Sequence, residues 1–327
     1  MTKFLFHHTL QLALMISGLF ALEEQMSPSL PNFTVFSNFL YWHPTEAVQW
    51  AVAAKGDIEK EIVNYEVLSF DWHPGYQVGL GVFPSDKSSL QFYYTHYYSS
   101  AYQTVINGES EYLTPAFLGN YIAENSPNFR VGKAVMNLAL NMFDLEADYQ
   151  ITNENILSLS PIIGLKGGWI YQTLNTDWKN FIPATDIVSI AAKENLTNDF
   201  WGIGPKLGIN GDIKIVSNSN QELSFSSFLT MAFMYGHWEI TDEYENSDKQ
   251  YSTIIVPSRN FAEIMLDCFL GLNYTYTFKT GNYRLGTKVG YQIQDWFDFY
   301  QILDVQSGTN QTDLFLQGLS FGINFDF

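Results

Sequence analysis

Positive charge is scarce in this sequence. Only 16 Lys and Arg stand against 34 Asp and Glu, giving a net charge of −18. That balance excludes nucleic-acid binding through a basic patch, and it excludes attachment to anionic lipid through a polybasic surface. Cysteine is nearly absent. Cys268 stands alone, so neither an intrachain disulfide nor a multi-cysteine zinc site can form. Charge of either sign is thin at 15%, while aromatics reach 17%, the reverse of the balance that keeps a chain disordered. Beyond Leu22 no run of 18 apolar residues occurs, so the rest of the chain holds no candidate transmembrane helix. There is no Gly-x-Ser-x-Gly elbow and no phosphate-binding glycine loop. No catalytic residue, cofactor or metal is expected, and the chain reads as a non-enzyme.

What is present begins at the N-terminus. Lys3, an apolar run over 9–22 and then Glu23-Glu24-Gln25 have the layout of a secretory signal peptide, with Ala21 as its last residue. The expected organisation is a signal peptide over 1–21, a short periplasmic segment over 22–32, and a single barrel over 33–327.

The strongest signal is period-two alternation, the mark of a strand with two different faces. Over 156–171, Leu157, Leu159, Ile163, Leu165, Trp169 and Tyr171 share one face, opposite Ser158, Ser160, Gly164, Lys166 and Gly168. The same pattern recurs over 143–149, 199–210, 262–275 and 283–294. These segments exceed the usual ~5–6 residues of a soluble strand. They end in Trp or Tyr, as transmembrane strands with interfacial aromatic girdles do. Tight turns at 84–87, 152–155, 217–220 and 279–282 alternate with long connections near 100–130, 173–197, 239–257 and 298–312. The fold class is therefore all-β. The expected architecture is a transmembrane antiparallel up-and-down β-barrel with long extracellular loops and short periplasmic turns.

Ten strands follow, near 33–52, 61–83, 88–99, 131–150, 156–172, 198–215, 221–238, 259–278, 283–297 and 313–327. His73-Pro74-Gly75 reads as a bulge in the second. If it is a turn instead, the count is twelve. Around the turn at 280–281, the expected register pairs Asn273 with Lys288 and Thr275 with Gly286. The C-terminal strand ends with Phe325 and Phe327, read as an assembly signal for barrel-assembly machinery.

Several stretches carry a family likeness. They are 70–81 (FDWHPGYQVGLG), 157–170, 198–206 (NDFWGIGPK), 316–319 and the closing Phe325-Asp326-Phe327. On these residues the chain resembles the Legionella-type major outer membrane protein family. The resemblance implies a pore-forming or surface-exposed barrel in the outer membrane of a Gram-negative cell. It implies no catalytic residues.

The lumen-facing positions carry segregated charge. Asp144, Glu146 and Asp148 sit on one strand, Lys166 and Lys206 on the next two. Glu263 and Asp267 lie beside the strand carrying Arg284 and Lys288. These read either as cross-lumen ion pairs or as facing acidic and basic constrictions that orient permeating ions. Lumenal glycines such as Gly79, Gly164 and Gly290 read as relief of crowding or as an open path. The acidic stretch Glu239, Asp242, Glu243, Glu245 and Asp248 reads as a loop, either merely solvated or enriching cations at the mouth and bridging to lipopolysaccharide. His237 near Asp242, or His96 across the mouth, would imitate an outer-rim protease.

The expected function is a narrow, cation-preferring channel for small solutes or ions. The alternative is a surface adhesin or structural protein whose loops meet a host or neighbouring molecule. The partners implied are outer-membrane lipid and lipopolysaccharide, the assembly machinery, small solutes or ions, a further copy of the chain and a host surface, with no nucleic acid.

Overall fold

The structure is a computed structural model that describes residues 32–55, 62–107, 111–116, 129–153, 156–180, 191–247, 251–278, 283–304 and 308–327. The signal-peptide reading and the 279–282 turn lie outside these residues, as does half of the 152–155 turn.

Ten strands form the wall. They are β1 (Phe33–Thr45), β4 (His73–Ser85), β5 (Ser88–Ile106), β7 (Val131–Tyr149), β9 (Leu157–Lys179), β10 (Ala191–Ser217), β11 (Gln221–Asn246), β12 (Tyr251–Thr277), β13 (Arg284–Asp304) and β14 (Gly308–Asp326). Each pairs antiparallel with the next, and β14 pairs back onto β1 from Thr34–Asp326 to Thr45–Phe315, closing the ring. The two-residue β8 (Thr152–Asn153) adds only a short pairing to β9. Closure leaves no lipid-exposed edge, which a membrane-spanning sheet requires. The count of ten and the Asn273–Lys288 and Thr275–Gly286 register agree with the sequence reading.

The first two expected strands need correction. The segment 33–52 is not continuous. β1 stops at Thr45, a tight bend follows in which the Val48 N–H bonds the Glu46 carbonyl, and β2 (Gln49–Lys55) leaves the wall. β2 pairs with β3 (Ile62–Val67) and β6 (Glu111–Pro115) in a separate three-stranded sheet. His73-Pro74-Gly75 is not a bulge either. It opens β4, and the β1–β4 register runs unbroken from Phe33–Val82 to Trp42–His73.

The long loops are a second correction. β9 to β12 run for 23, 27, 26 and 27 residues, whereas about 9–11 suffice to cross a bilayer. The wall continues well above the aromatic belt marked by Trp169, Trp201 and Tyr235. Within the membrane the apolar residues point outward to lipid, as with Ile203 and Leu207. Above the belt the phase inverts. Leu174, Trp178, Leu196, Ile240 and Tyr244 now point inward and are buried, while Asn175, Lys193 and Glu245 face water. A pattern search in which the apolar face means outside stops where that meaning reverses.

The three-stranded sheet packs into this upper part. Val48, Trp50, Ala51 and Leu113 are fully buried there. The Trp50 ring lies 5.3 Å from that of Trp178, and its Nε1–H donates to Gln103 Oε1 at 2.8 Å. Gly132 is required at this contact, since a Cβ would strike both indoles.

Candidate functional site

The interior is the candidate site, because the alternation sends chemistry-bearing side chains there. At its centre Asp144 is fully buried. It accepts from Lys166 Nζ at 2.8 Å and from Lys206 Nζ at 2.9 Å. Lys206 also pairs with Glu146, and the Tyr93 hydroxyl donates to the same carboxylate. β5, β7, β9 and β10, four consecutive strands of the wall, thus meet in one inward-facing network. Charge removed from water survives only when paired and hydrogen-bonded in this way. Below the network, Asp148 accepts from the hydroxyl of its cross-strand partner Ser89.

The second expected group behaves differently. Asp267 does not reach Arg284 or Lys288. It accepts from Gln292 Nε2 at 2.9 Å and from Gln294 Nε2 at 3.0 Å. Lys288 Nζ sits over the rings of Phe269 and Phe228, at 4.1 and 5.2 Å from their centroids. Arg284 lies low on the wall, 3.7 Å from Asp326. Glu263 faces inward with 1% exposure, and neither carboxylate oxygen has a hydrogen-bond partner. The constriction read from these four residues is therefore replaced by amide and aromatic contacts. The sequence could not show that Gln292 and Gln294 come first to Asp267.

Above the ionic layer the lumen turns apolar. Trp42, Phe200, Trp238, Met265, Trp296 and Phe299 are essentially inaccessible to water. Phe200 and Trp238 lie 4.7 Å apart, and Trp238 stacks on Phe261 at 4.0 Å with 4° between planes. Of the two glycine readings, relief of crowding holds at this level. A Cβ on Gly236 would strike the Trp238 ring, and one on Gly290 would strike the Phe269 ring. Trp42, Trp238 and Trp296 stand at strand ends where the sequence reading expects interfacial girdle residues, and they turn inward instead because they occupy the upper, phase-inverted positions.

The expected acidic loop is not a loop. Glu239, Asp242, Glu243 and Glu245 belong to β11. Asp242 faces inward and is buried, while the other three face outward. Asp248 lies outside the described residues. The protease-like arrangement is absent on the same grounds. His237 points outward, 2.7 Å from Asn260 Oδ1 and 3.3 Å from Glu239, and His96 points outward beside Asn141. Among the described residues no group of His, Cys, Asp and Glu converges to hold a metal ion. Cys268 lies on the outward face at intermediate exposure.

Glu46, Glu194 and Asp242 are buried acids above the membrane. Glu46, in the bend between β1 and β2, accepts from Gln172 Nε2 at 2.8 and 2.9 Å, and Asn198 Nδ2 donates to Gln172 Oε1 at 2.7 Å. Burial pushes its carboxyl up to about 8, opposed by the Gln172 bond. The Tyr300 phenol is pushed well above its ordinary value by burial, with Glu46, Asp242 and Glu194 adding to the effect. A raised folded-state value means that Glu46 binds its proton more tightly in the native state. Its cost to stability is absent below about pH 4.5. The cost grows as pH rises and is fully present above about 8, on the order of a few kcal/mol. Glu46→Gln is therefore expected to raise the unfolding temperature at pH 9 and leave it unchanged at pH 4, as read by thermal unfolding in nonionic micelles.

This arrangement, a closed antiparallel ring with an apolar exterior and polar and aromatic side chains turned inward, defines an integral outer-membrane β-barrel. Residues 27–327 match the sequence profile of the Legionella pneumophila major outer membrane protein precursor. The chain belongs to that family, and its place is the bacterial outer membrane. No curated protein matches it. Solved barrels similar to it include the outer membrane protease OmpT from Escherichia coli, at 10% identity, covering 93% of this chain and 99% of that one with a TM-score of 0.40. The translocator domain of the autotransporter NalP from Neisseria meningitidis gives 7% identity, 100% and 98% coverage and 0.33. The toluene transporter TodX of P. putida gives 7%, 91% and 91%, and 0.31.

Proposed function

We propose that this protein is a closed, structural outer-membrane barrel. Its extracellular half is a rigid surface for contact with host or neighbouring molecules. One observation carries the reading: inward side chains are almost wholly buried at two successive levels. The Asp144–Lys166–Lys206 layer lies below, and the aromatic layer of Phe200, Trp238, Trp296 and Phe299 lies above. Ten strands stand near the limit at which side chains fill a barrel. The wall also extends far beyond the bilayer and encloses its own hydrophobic core, which suits a load-bearing surface better than a solute path.

A second reading is the narrow cation-preferring channel. It is favoured by Glu146, Asp148 and Asp212, which are less buried than Asp144 and give the periplasmic half of the lumen an acidic lining. Conduction requires both filled layers to part. Planar-bilayer recording of the refolded, heat-modifiable barrel separates the two readings. No steps are expected across a potassium chloride gradient. Discrete steps with a cation-side reversal potential would overturn the closed barrel in favour of the channel.

A further inference from the structure

Between β12 and β13 the wall has a seam. β12 is paired to β11 from Gln221–Tyr276 up to Glu245–Tyr251. Its ladder to β13 stops at Met265–Trp296, level with the aromatic belt. Above that point, among the described residues, β12 and β13 face each other without a ladder. The β13 side is distorted as well. Its register to β14 breaks between Trp296 and Tyr300, Asp298 has φ 52°, and the Asp298 N–H bonds Asp313 Oδ1 at 2.7 Å instead of a ladder carbonyl.

Glu263 stands directly inside the seam, two residues above Met265 on the same inward face. Its carboxylate is 1% exposed and has no partner. Met234 faces it across the β11 ladder, and aromatic rings share its inward face. Phe261 precedes it on the same face and stacks on Trp238, while Trp296 and Phe299 pack together from β13 at 5.9 Å. The indole N–H groups of Trp238 and Trp296 are also buried without acceptors. Asp298 and Asp313 lie near enough to add to the negative field at Glu263, and both are exposed at the outer side of the seam. A buried carboxylate left unpaired is costly, and among the described residues no cation pairs with it.

We propose that this seam is a binding site for an ammonium group entering from the outer head-group layer. A carboxylate framed by Trp and Phe rings is the chemistry that recognises alkylammonium, through charge pairing and cation–π attraction. The two indole N–H groups fit an oxygen carried beside the ammonium, as in an amino-alcohol or a zwitterionic head group. Asp298 and Asp313 draw cations to the entrance. The site does not depend on whether the lumen conducts.

The test uses the refolded barrel in a nonionic detergent, with benzyltrimethylammonium chloride as probe and benzyl alcohol as its uncharged counterpart. Calorimetry is expected to show saturable binding of the cation and at least tenfold weaker binding of the alcohol. Glu263→Gln, nearly isosteric, is expected to weaken cation binding at least tenfold, while Glu243→Gln on the outer wall leaves it unchanged. If Glu263→Gln does not give a heat-modifiable barrel, Phe261→Leu serves the same comparison. Equal binding of both probes, no saturable binding, or an unaltered Glu263→Gln would overturn the proposal. The source is read in vesicles. A tryptophan emission change on going from phosphatidylglycerol to phosphatidylcholine, abolished by Glu263→Gln, makes the ligand a lipid head group. A change with the dissolved cation alone makes it a free amine.

Discussion

Asp144→Ala is expected to destabilise the barrel by about 3–5 kcal/mol, the cost of breaking a buried ion pair by removing one partner. The carboxylate has no exposure and is shared by Lys166 and Lys206. After its removal Lys206 retains Glu146, but Lys166 keeps no other carboxylate within salt-bridge distance among the described residues. An ammonium stranded there has little access to water, because Lys166 is almost wholly buried and the layer above it is packed with aromatic rings. The effect belongs to the stranded charge rather than to lost attraction. Removing Asp144 and Lys166 together, as Asp144→Leu with Lys166→Met, should therefore cost much less than Asp144→Ala alone. Urea unfolding in nonionic micelles measures both. A single-variant loss under 1 kcal/mol would mean that water reaches this layer, and the closed-barrel reading would fall with it.

That prediction rests on residues the sequence had already brought together. Asp144, Glu146, Lys166 and Lys206 were legible because period-two alternation within the membrane has a fixed meaning: apolar outward, polar inward. Strand count, register and ring closure follow from the same rule, as the Asn273–Lys288 pair shows. The rule lapses in two places. Above the aromatic belt both sides of the wall face something other than lipid, so Leu174 and Trp178 turn inward and the apparent loops are strands. At 46–55 and 62–72 the chain leaves the wall, and Val48, Trp50 and Val52 mimic a lipid-facing strand while this segment builds the upper core. Non-local packing alone could reveal that Trp50 meets Trp178, more than a hundred residues away. Glu263 was recognised as inward, but its isolation was not. Its apparent partners, Arg284 and Lys288, sit lower on the wall, and the missing β12–β13 ladder leaves no sequence trace.

Removal of 321–327 is expected to abolish the folded barrel outright. β14 closes the ring by pairing on both sides. Residues Phe321 to Asp326 face Phe39 to Thr34 on β1 and Val289 to Arg284 on β13. The backbone of Phe327 also bonds that of Phe33 in both directions, and their rings stack at 6.0 Å. Truncation would strip partners from the lower halves of two neighbouring strands at the level of the bilayer. Each unsatisfied backbone group there costs several kcal/mol, and water is not available to replace the lost partner. The total far exceeds the ~5–15 kcal/mol that holds a folded protein together. Phe327→Ala separates closure from the end signal, because it keeps every backbone bond and removes one ring from the lower belt. In vitro refolding of that variant into micelles should yield the heat-modifiable form at nearly the normal level. In cells, if Phe325 and Phe327 are what the assembly machinery reads, its level in the outer membrane should fall severalfold. Normal assembly in cells would leave Phe327 a packing residue only, and a folded 321–327 truncation would contradict ring closure through β14.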